Sequence, residues 1–146
     1  MLAAPVARIC RGAGGSARPD GHWRAGRLDL CPLTSEKFNL FSSFWSPKLV
    51  ARLNDYEVKL VKVKGEFVWH THEDTDELLL VIEGRLTIQL RDRDVVLGPG
   101  QLFVVPRRVE HCPRADGEVK ALLLEPAGVV NTGDADGDLT AAVEAI

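Results

Sequence analysis

The pattern of hydrophobic and polar positions changes near residue 56. From there to residue 126, apolar runs of four to eight residues alternate with short turn signals such as Gly-Pro-Gly and Asp-Gly. Runs of this length rich in Val, Leu, Ile and Phe are typical of strands, and their regular spacing indicates a β-sandwich or barrel. The intervening segments are too short for crossover helices, so we expect mainly antiparallel pairing. The predicted strands are YEVKLVKV, EFVWH, ELLLVIE, RLTIQL, DVVL, QLFVVP and EVKALLLE.

A short helical lead-in is predicted before these strands, over residues 33–55. Thr34 or Ser35 can cap a first turn, and an acidic residue follows where the helix dipole favours it. Pro47 then opens the segment KLVARLN. Because proline is well tolerated at the first position of a helix, we predict a second short helix here.

The two ends of the chain show no clear periodicity. Residues 1–32 hold five Arg against two Asp and are rich in Ala and Gly, a composition typical of disorder. The same composition leaves open a mitochondrial presequence or a translation start placed too far upstream. The chain is therefore divided into a disordered extension (1–32), the lead-in (33–55), a barrel (56–126) and a C-terminal tail (127–146).

Composition narrows the classes of function. A length of 146 residues favours one domain, and no apolar run approaches the length of a membrane-spanning helix. The formal net charge of −3 argues against nucleic acid as the main partner. The three cysteines form no CxxC pair, so we expect reduced thiols in a cytoplasmic protein.

Three of the four histidines lie in two compact segments that also contain a glutamate. His70 and His72 are two residues apart, which on a strand places both side chains on one face. Glu77 begins the next predicted strand, so an antiparallel return brings its carboxylate beside these imidazoles. His111 follows a third strand and could close the set. Imidazoles with one carboxylate suit Fe, Mn, Ni, Cu or Zn as a divalent ion, and four protein ligands leave positions open for catalysis.

The order and spacing of these residues resemble the two motifs of the cupin superfamily. The first motif is matched by Gly65, His70, His72, Glu77 and Gly84. The second is matched by Gly100, Pro106 and His111, while Arg108 and Ala115 replace the usual glycine and asparagine. The missing glycine predicts a modified turn before His111.

The resemblance implies an all-β fold, a single cupin barrel of the jelly-roll or double-stranded β-helix type, with short helical turns in front. It implies that His70, His72, Glu77 and His111 bind one divalent transition metal. A narrower likeness at residues 37–70 and 125–134 is to small stand-alone cupins, labelled mannose-6-phosphate isomerase-like or associated with polyketide gene clusters. Because small cupins commonly pair, it also implies a homodimer.

Two functions from different classes remain open. The first is a metal-dependent enzyme, isomerase-like or dioxygenase-like, that acts on a small oxygen-rich metabolite. The second is a non-catalytic module that captures a small molecule, with no membrane or nucleic-acid partner. In both, alternation along the strands predicts a pocket wall made of Leu79, Val81, Phe103 and Val105. A purely structural barrel, the third interpretation, predicts no bound metal.

Several polar residues remain without a predicted role in the chemistry. No general acid or base is evident besides Glu77, and the alternation does not decide whether Lys59 or Lys62 faces the barrel interior. Arg108 and its neighbour Arg107 are predicted to lie in a solvated turn. Asp134 begins the run Asp-Ala-Asp-Gly-Asp, but the glycine and glutamate that a calcium loop requires later in the motif are absent, so we predict no calcium site.

Overall fold

The computed structural model describes residues 35–135 and 137–146, so the predictions about residues 1–32 and a cap at Thr34 lie outside the described residues. The described part contains one short helix and eight strands, and no helix in it is long and apolar enough to cross a membrane. The elements are α1 (Ser35–Phe38), β1 (Lys48–Leu53), β2 (Tyr56–Glu66), β3 (Glu77–Glu83), β4 (Leu86–Leu90), β5 (Asp94–Leu97), β6 (Leu102–Val105), β7 (His111–Pro126) and β8 (Glu144–Ala145).

The strands form one sheet organised around β7. Its hydrogen-bonded path runs β5-β4-β7-β2-β1-β8, and β3 pairs with both β7 and β6. Along its sixteen residues β7 changes partner, from β4 at its start to β3 at its end, while β2 stays on its other side. This change lets the sheet enclose an interior without closing into a continuous ring. These pairs are antiparallel, as predicted, and the short β1–β8 pair is parallel.

Alternation along the strands builds the interior. In β3 and in the last half of β7, buried residues alternate with more exposed ones. The resulting core cluster, which removes apolar surface from water, draws on β2 to β7. Its buried members are Val61, Val63, Leu79, Val81, Leu86, Ile88, Leu97, Val105, Ala115, Val119, Ala121 and Leu123.

The predicted second helix is wrong, because Lys48–Leu53 forms the strand β1. This strand pairs antiparallel with β2, and its Val50 is fully buried against Phe38 and Leu60. Pairing with a long neighbouring strand outweighs the weak local preference for a helix. The overlooked signal is the two-residue turn between β1 and β2, where Asn54 has a φ of 54°, as asparagine tolerates in tight hairpins.

Two further segments differ from the predicted pattern. The predicted strand EFVWH ends early, because β2 stops at Glu66 and the chain then follows an irregular path to His70, which forms an isolated bridge with His111. The C-terminal tail is packed onto the barrel: Thr132 is 1% exposed, and β8 runs beside β1. Both segments bear directly on the position of the histidines.

Candidate metal centre

The four predicted ligands come together inside the barrel. His70, His72, Glu77 and His111 are all buried, and each offers one ligand atom within 4.8 Å of those of the others. His111 Nε2 lies 3.2 Å from Glu77 Oε2, and His72 Nε2 lies 4.0 Å from the same oxygen. We refer to these four residues as the ligand cluster.

Three separate parts of the chain position the ligand cluster. Glu77 and His111 are the first residues of β3 and β7, whereas His70 and His72 lie on the irregular segment between β2 and β3. The backbones of His70 and His111 exchange two hydrogen bonds of 3.0 Å, which places their rings with centroids 4.2 Å apart. The backbone carbonyl of His72 accepts a hydrogen bond of 2.8 Å from the Arg108 N–H.

Two of the imidazoles are oriented by carbonyl groups behind them. His70 Nδ1 lies 3.0 Å from the Val68 carbonyl oxygen, and His111 Nδ1 lies 3.0 Å from that of Val109. Because a carbonyl oxygen can only accept, each Nδ1 carries a proton and donates it, and Nε2 is left to face the other ligands. Metal-binding histidines in proteins are commonly held by such a bond.

The residues of the ligand cluster fit a metal ion. His72 Nε2 is buried and has no hydrogen-bond partner among the described residues. Leaving a buried polar atom unpaired costs about 1–3 kcal/mol, and a cation between the four ligand atoms would remove that cost by binding the lone pair. Three imidazoles and one carboxylate also form a donor set that divalent transition metals favour.

Burial favours the neutral imidazoles of His70 and His72. It is the main cause that lowers the pKa of His70 to about 4, with the neighbouring charge of His111 adding to it, and it also lowers the pKa of His72. Burial alone would raise the pKa of Glu77, but its interactions with the neighbouring imidazoles, above all that of His111, outweigh burial and lower the pKa. Neutral imidazoles and an ionised carboxylate are the forms that metals bind.

A turn of the C-terminal tail, residues 131–134, lies across the segment that bears His70 and His72; we call this turn the strap. The Asp134 N–H donates to the Thr71 carbonyl over 3.0 Å, and the Thr71 N–H donates to Asp134 Oδ1 over 2.6 Å. Gly133 has a φ of 54°, and a Cβ there would collide with the Thr71 carbonyl oxygen. The strap therefore fixes the peptide between the two histidines, and it requires glycine at position 133.

The turn before His111 contains a strained residue. Arg108 has a φ of 65°, in the left-handed region that glycine enters most easily. The arginine therefore adopts, at the position where the motif usually has glycine, a conformation that favours glycine. Its side chain lies in solvent and pairs with Glu73 over 2.9 Å.

A row of buried glutamates lies beside the ligand cluster. Backbone register places Glu57 of β2 opposite Glu125 of β7. On the other side of β7, Leu78 is opposite Leu124, so the next pair of the same register is Glu77 and Glu125. Directly opposed residues have Cβ atoms about 5 Å apart. Glu57, Glu125 and Glu77 are 4%, 1% and 7% exposed and form what we call the glutamate row.

Lys59 neutralises part of the glutamate row. It is 1% exposed, and its Nζ donates to Glu125 Oε1 over 2.9 Å and lies 3.1 Å from Glu57 Oε2. Arg52 reaches Glu57 Oε1 over 2.9 Å from the surface. Lys59 is thus the lysine that faces the interior, whereas the ammonium group of Lys62 donates to a backbone carbonyl of the lead-in.

One oxygen of the glutamate row remains unpaired. Glu125 Oε2 is buried and has no hydrogen-bond partner among the described residues. Burial, reinforced by the charge of Glu77, raises the pKa of Glu125 to about 7. Sequence reasoning missed Glu125, although the alternation of Val119, Ala121 and Leu123 along β7 already points position 125 to the interior.

A cavity reaches the ligand cluster from the apolar interior, with His70 and Glu77 in its wall. It offers about 40 Å³ to the centres of water molecules, room for roughly three waters. Of the predicted wall residues Leu79 lines it, whereas the other three belong to the core cluster or pack against it and are not among its lining residues. Stacked rings of Trp45 and Phe67, 4.7 Å apart, also line it and were not predicted.

Comparisons with known proteins agree with this architecture. The family model described as Cupin domain matches residues 58–126. A cupin-2 domain containing protein from Shewanella frigidimarina is 51% identical, with a TM-score of 0.62 over 63% of this chain and 90% of that chain. Protein NMB1881 from Neisseria meningitidis is 28% identical, with a TM-score of 0.59 over 64% of this chain and 95% of that chain.

A curated relative is matched over a smaller share of its length. The uncharacterized protein YdbB of Bacillus subtilis is 36% identical over 67 residues. That region is 45% of this chain and 59% of YdbB, so the chain spans less than two thirds of this relative.

Proposed function

The chain belongs to the cupin superfamily, and from that premise we propose that it binds one divalent transition metal and acts on a small oxygen-rich metabolite. The ligands are His70, His72, Glu77 and His111. The observation that carries the proposal is the buried Nε2 of His72, one of four converging ligand atoms, which has no hydrogen-bond partner among the described residues.

The residues around the ligand cluster support chemistry on an oxygen-bearing ligand. A bound divalent ion supplies Lewis-acid stabilisation of charge on a ligand oxygen, or a site for dioxygen activation. The carbonyls of Val68 and Val109 hold the rings of His70 and His111 in one orientation. The apolar wall next to His70 limits access of water. Isomerisation and dioxygenation are both compatible with this arrangement.

The alternative function is a binding module without turnover. The small, mainly apolar cavity favours it, because such a space can capture a compact ligand largely through apolar contacts. The two functions differ in one measurable respect: the enzyme converts a small metabolite when loaded with metal, and the binding module only retains it.

Elemental analysis of the protein purified without an affinity tag or chelator tests the metal site. We expect about one equivalent of Fe, Mn, Ni, Cu or Zn per chain. Glu77→Gln should lower metal affinity by more than about 100-fold, since even residues behind the ligands contribute 10- to 100-fold. The matched control is Glu73→Gln, an exposed glutamate close by in the chain, which should keep full occupancy. Wild-type protein that is metal-free and binds no added ion would overturn the proposal.

We further propose that the protein is a cytoplasmic homodimer. The dimer is supported by β6, which pairs with β3 and exposes Leu102 and Val104, 55% and 41% exposed. An uncovered edge with apolar residues favours pairing with another chain. The free thiol of Cys112 is compatible with a reducing compartment. Light scattering should give twice the mass of one chain, and a single-chain mass at micromolar concentration would contradict the dimer.

A further inference from the structure

One carboxylate of the glutamate row, that of Glu125, has an oxygen that forms no hydrogen bond with the described residues. Lys59 and Arg52 already provide two cations for Glu57, and Lys59 holds only one oxygen of Glu125. The second oxygen, Oε2, is buried without a partner among the described residues. Unpaired buried polar atoms are rare in folded proteins, and each one points to a bound molecule or a functional role.

The position of Glu125 relates this oxygen to the ligand cluster. Glu125 lies on β7 between Glu57 on β2 and Glu77 on β3, and all three side chains are buried. Neighbouring strands are about 4.8 Å apart. A molecule of a few heavy atoms can therefore place one oxygen at the ligand cluster and an adjacent group at Glu125.

The chemistry of that adjacent group follows from what Glu125 offers. A carboxylate oxygen accepts hydrogen bonds, so its complement is a donor such as a hydroxyl group. Lys59 holds Oε1 in place, which leaves Oε2 as the oxygen with a free hydrogen-bonding position among the described residues. A charged acceptor in a buried position also gives a stronger hydrogen bond than a neutral acceptor.

We propose that Glu125 is a second ligand-binding residue, whose Oε2 accepts a hydrogen bond from a hydroxyl group adjacent to the oxygen held at the ligand cluster. The favoured ligands are small compounds with a hydroxyl on the carbon next to a metal-binding oxygen, such as α-hydroxy carbonyl compounds. Lys59 is a positioning residue that holds the carboxylate. This inference rests on the proposed metal site, because the metal binds the first oxygen.

Two hydroxamates that differ by one hydroxyl group test the proposal on the cobalt-loaded protein. Both acetohydroxamate and glycolohydroxamate chelate the metal, but only glycolohydroxamate carries the adjacent hydroxyl. We expect wild-type protein to bind glycolohydroxamate about 10- to 100-fold more tightly, the range for a hydrogen bond to a charged group. Binding is followed by calorimetry and by the absorption spectrum of cobalt.

The variants separate the role of Glu125 from that of the metal. In Glu125→Gln, Lys59 retains the amide oxygen and an NH2 group replaces Oε2, so the preference for glycolohydroxamate over acetohydroxamate should fall to about 1-fold. Glu125→Met removes the acceptor in a second way, and Glu118→Gln, an exposed glutamate on the same strand, should keep the wild-type preference.

Each result has a definite meaning. Equal affinity of wild-type protein for the two hydroxamates, with cobalt bound, would overturn the role of Glu125 and leave the metal site intact. A preference that persists in both Glu125 variants would overturn it as well. Protein that binds neither cobalt nor acetohydroxamate would instead overturn the proposed function.

Discussion

The ligand cluster and the glutamate row share Glu77 and lie in the same buried interior, yet they differ in whether a lysine or arginine of the chain compensates the buried negative charge. In the glutamate row the chain supplies its own cation, because Lys59 contacts both Glu57 and Glu125. In the ligand cluster no lysine or arginine has an ion pair with Glu77 among the described residues, and His72 Nε2 has no partner. Buried charge requires a partner, so the cluster that lacks an internal cation is the one suited to an external ion.

The largest expected effect comes from removing the internal cation. Lys59→Met leaves two buried carboxylates without their lysine, and breaking such a group costs about 3–5 kcal/mol of unfolding free energy. Urea denaturation of the metal-free protein measures it. Lys64→Met, at an exposed position of the same strand, should change stability by less than about 0.5 kcal/mol. Equal effects of the two substitutions would show that the glutamate row does not need its lysine.

The strap gives a way to disturb the ligand cluster alone. In Gly133→Ala the new methyl group meets the Thr71 carbonyl, so the segment bearing His70 and His72 must shift. We expect metal affinity to fall about 10- to 100-fold, as when groups behind metal ligands are altered. Gly128→Ala is the matched control, since Gly128 has a φ of 86° but no atom near its Cβ position. Competition with a chelating dye measures the metal affinity of both variants. Equal losses of affinity in the two would show that backbone strain, and not the contact with Thr71, causes the loss.

The two regions should also respond to pH with opposite sign. The pKa of His70 is lowered to about 4, so its contribution to stability is present above its ordinary value near 6.5 and is lost as pH falls toward 4. The pKa of Glu125 is raised to about 7, so its contribution is present below its ordinary value near 4.5 and is lost as pH rises toward 7.

Unfolding of metal-free Glu125→Gln across this range isolates the second contribution. Because glutamine does not titrate, the variant should gain stability relative to wild-type protein between pH 4.5 and 7, on the order of 3 kcal/mol. The loss assigned to His70 at lower pH should persist in the variant. A difference between variant and wild type that stays constant over the whole range would contradict the assignment to Glu125.

The smallest expected effect concerns the turn before His111. Arg108→Gly relieves a positive φ but adds freedom to the unfolded chain and removes an exposed ion pair with Glu73. The stabilisation from relieving the positive φ is nearly offset by the added freedom of the unfolded chain and the lost ion pair. We therefore expect the free energy of unfolding to rise by no more than about 1 kcal/mol and metal affinity to stay unchanged. Thermal melts and dye competition measure the two quantities. A large loss of metal affinity would show that the arginine side chain supports the ligand cluster.

The same two regions show how far the sequence could predict the structure. The ligands could be named because their spacing along the chain reflects a motif, and most strands because alternation is a local property. The contact between Lys59 and Glu125 could not be predicted, because these residues are 66 positions apart in the sequence. Their contact depends on how β2 and β7 are aligned in the sheet. The helix predicted at residues 47–54 failed for a similar reason, since β1 is determined by its pairing with β2.

The strand β7 connects the two regions. Sixteen extended residues would span roughly 50 Å if straight. His111 at the start of β7 nevertheless contacts Glu77, and Glu125 near its end follows Leu124, which pairs with Leu78, the neighbour of Glu77. The pairing with β2 is interrupted where residues 116–118 of β7 face the single residue Lys64, so β7 has two extra residues at this irregularity. Because β7 pairs with β2, β3 and β4, separating the strands at one polar region would also disturb the backbone hydrogen bonds at the other. We therefore expect the two regions to unfold as one cooperative unit, in which an ion bound at the ligand cluster would lower how often the whole barrel opens.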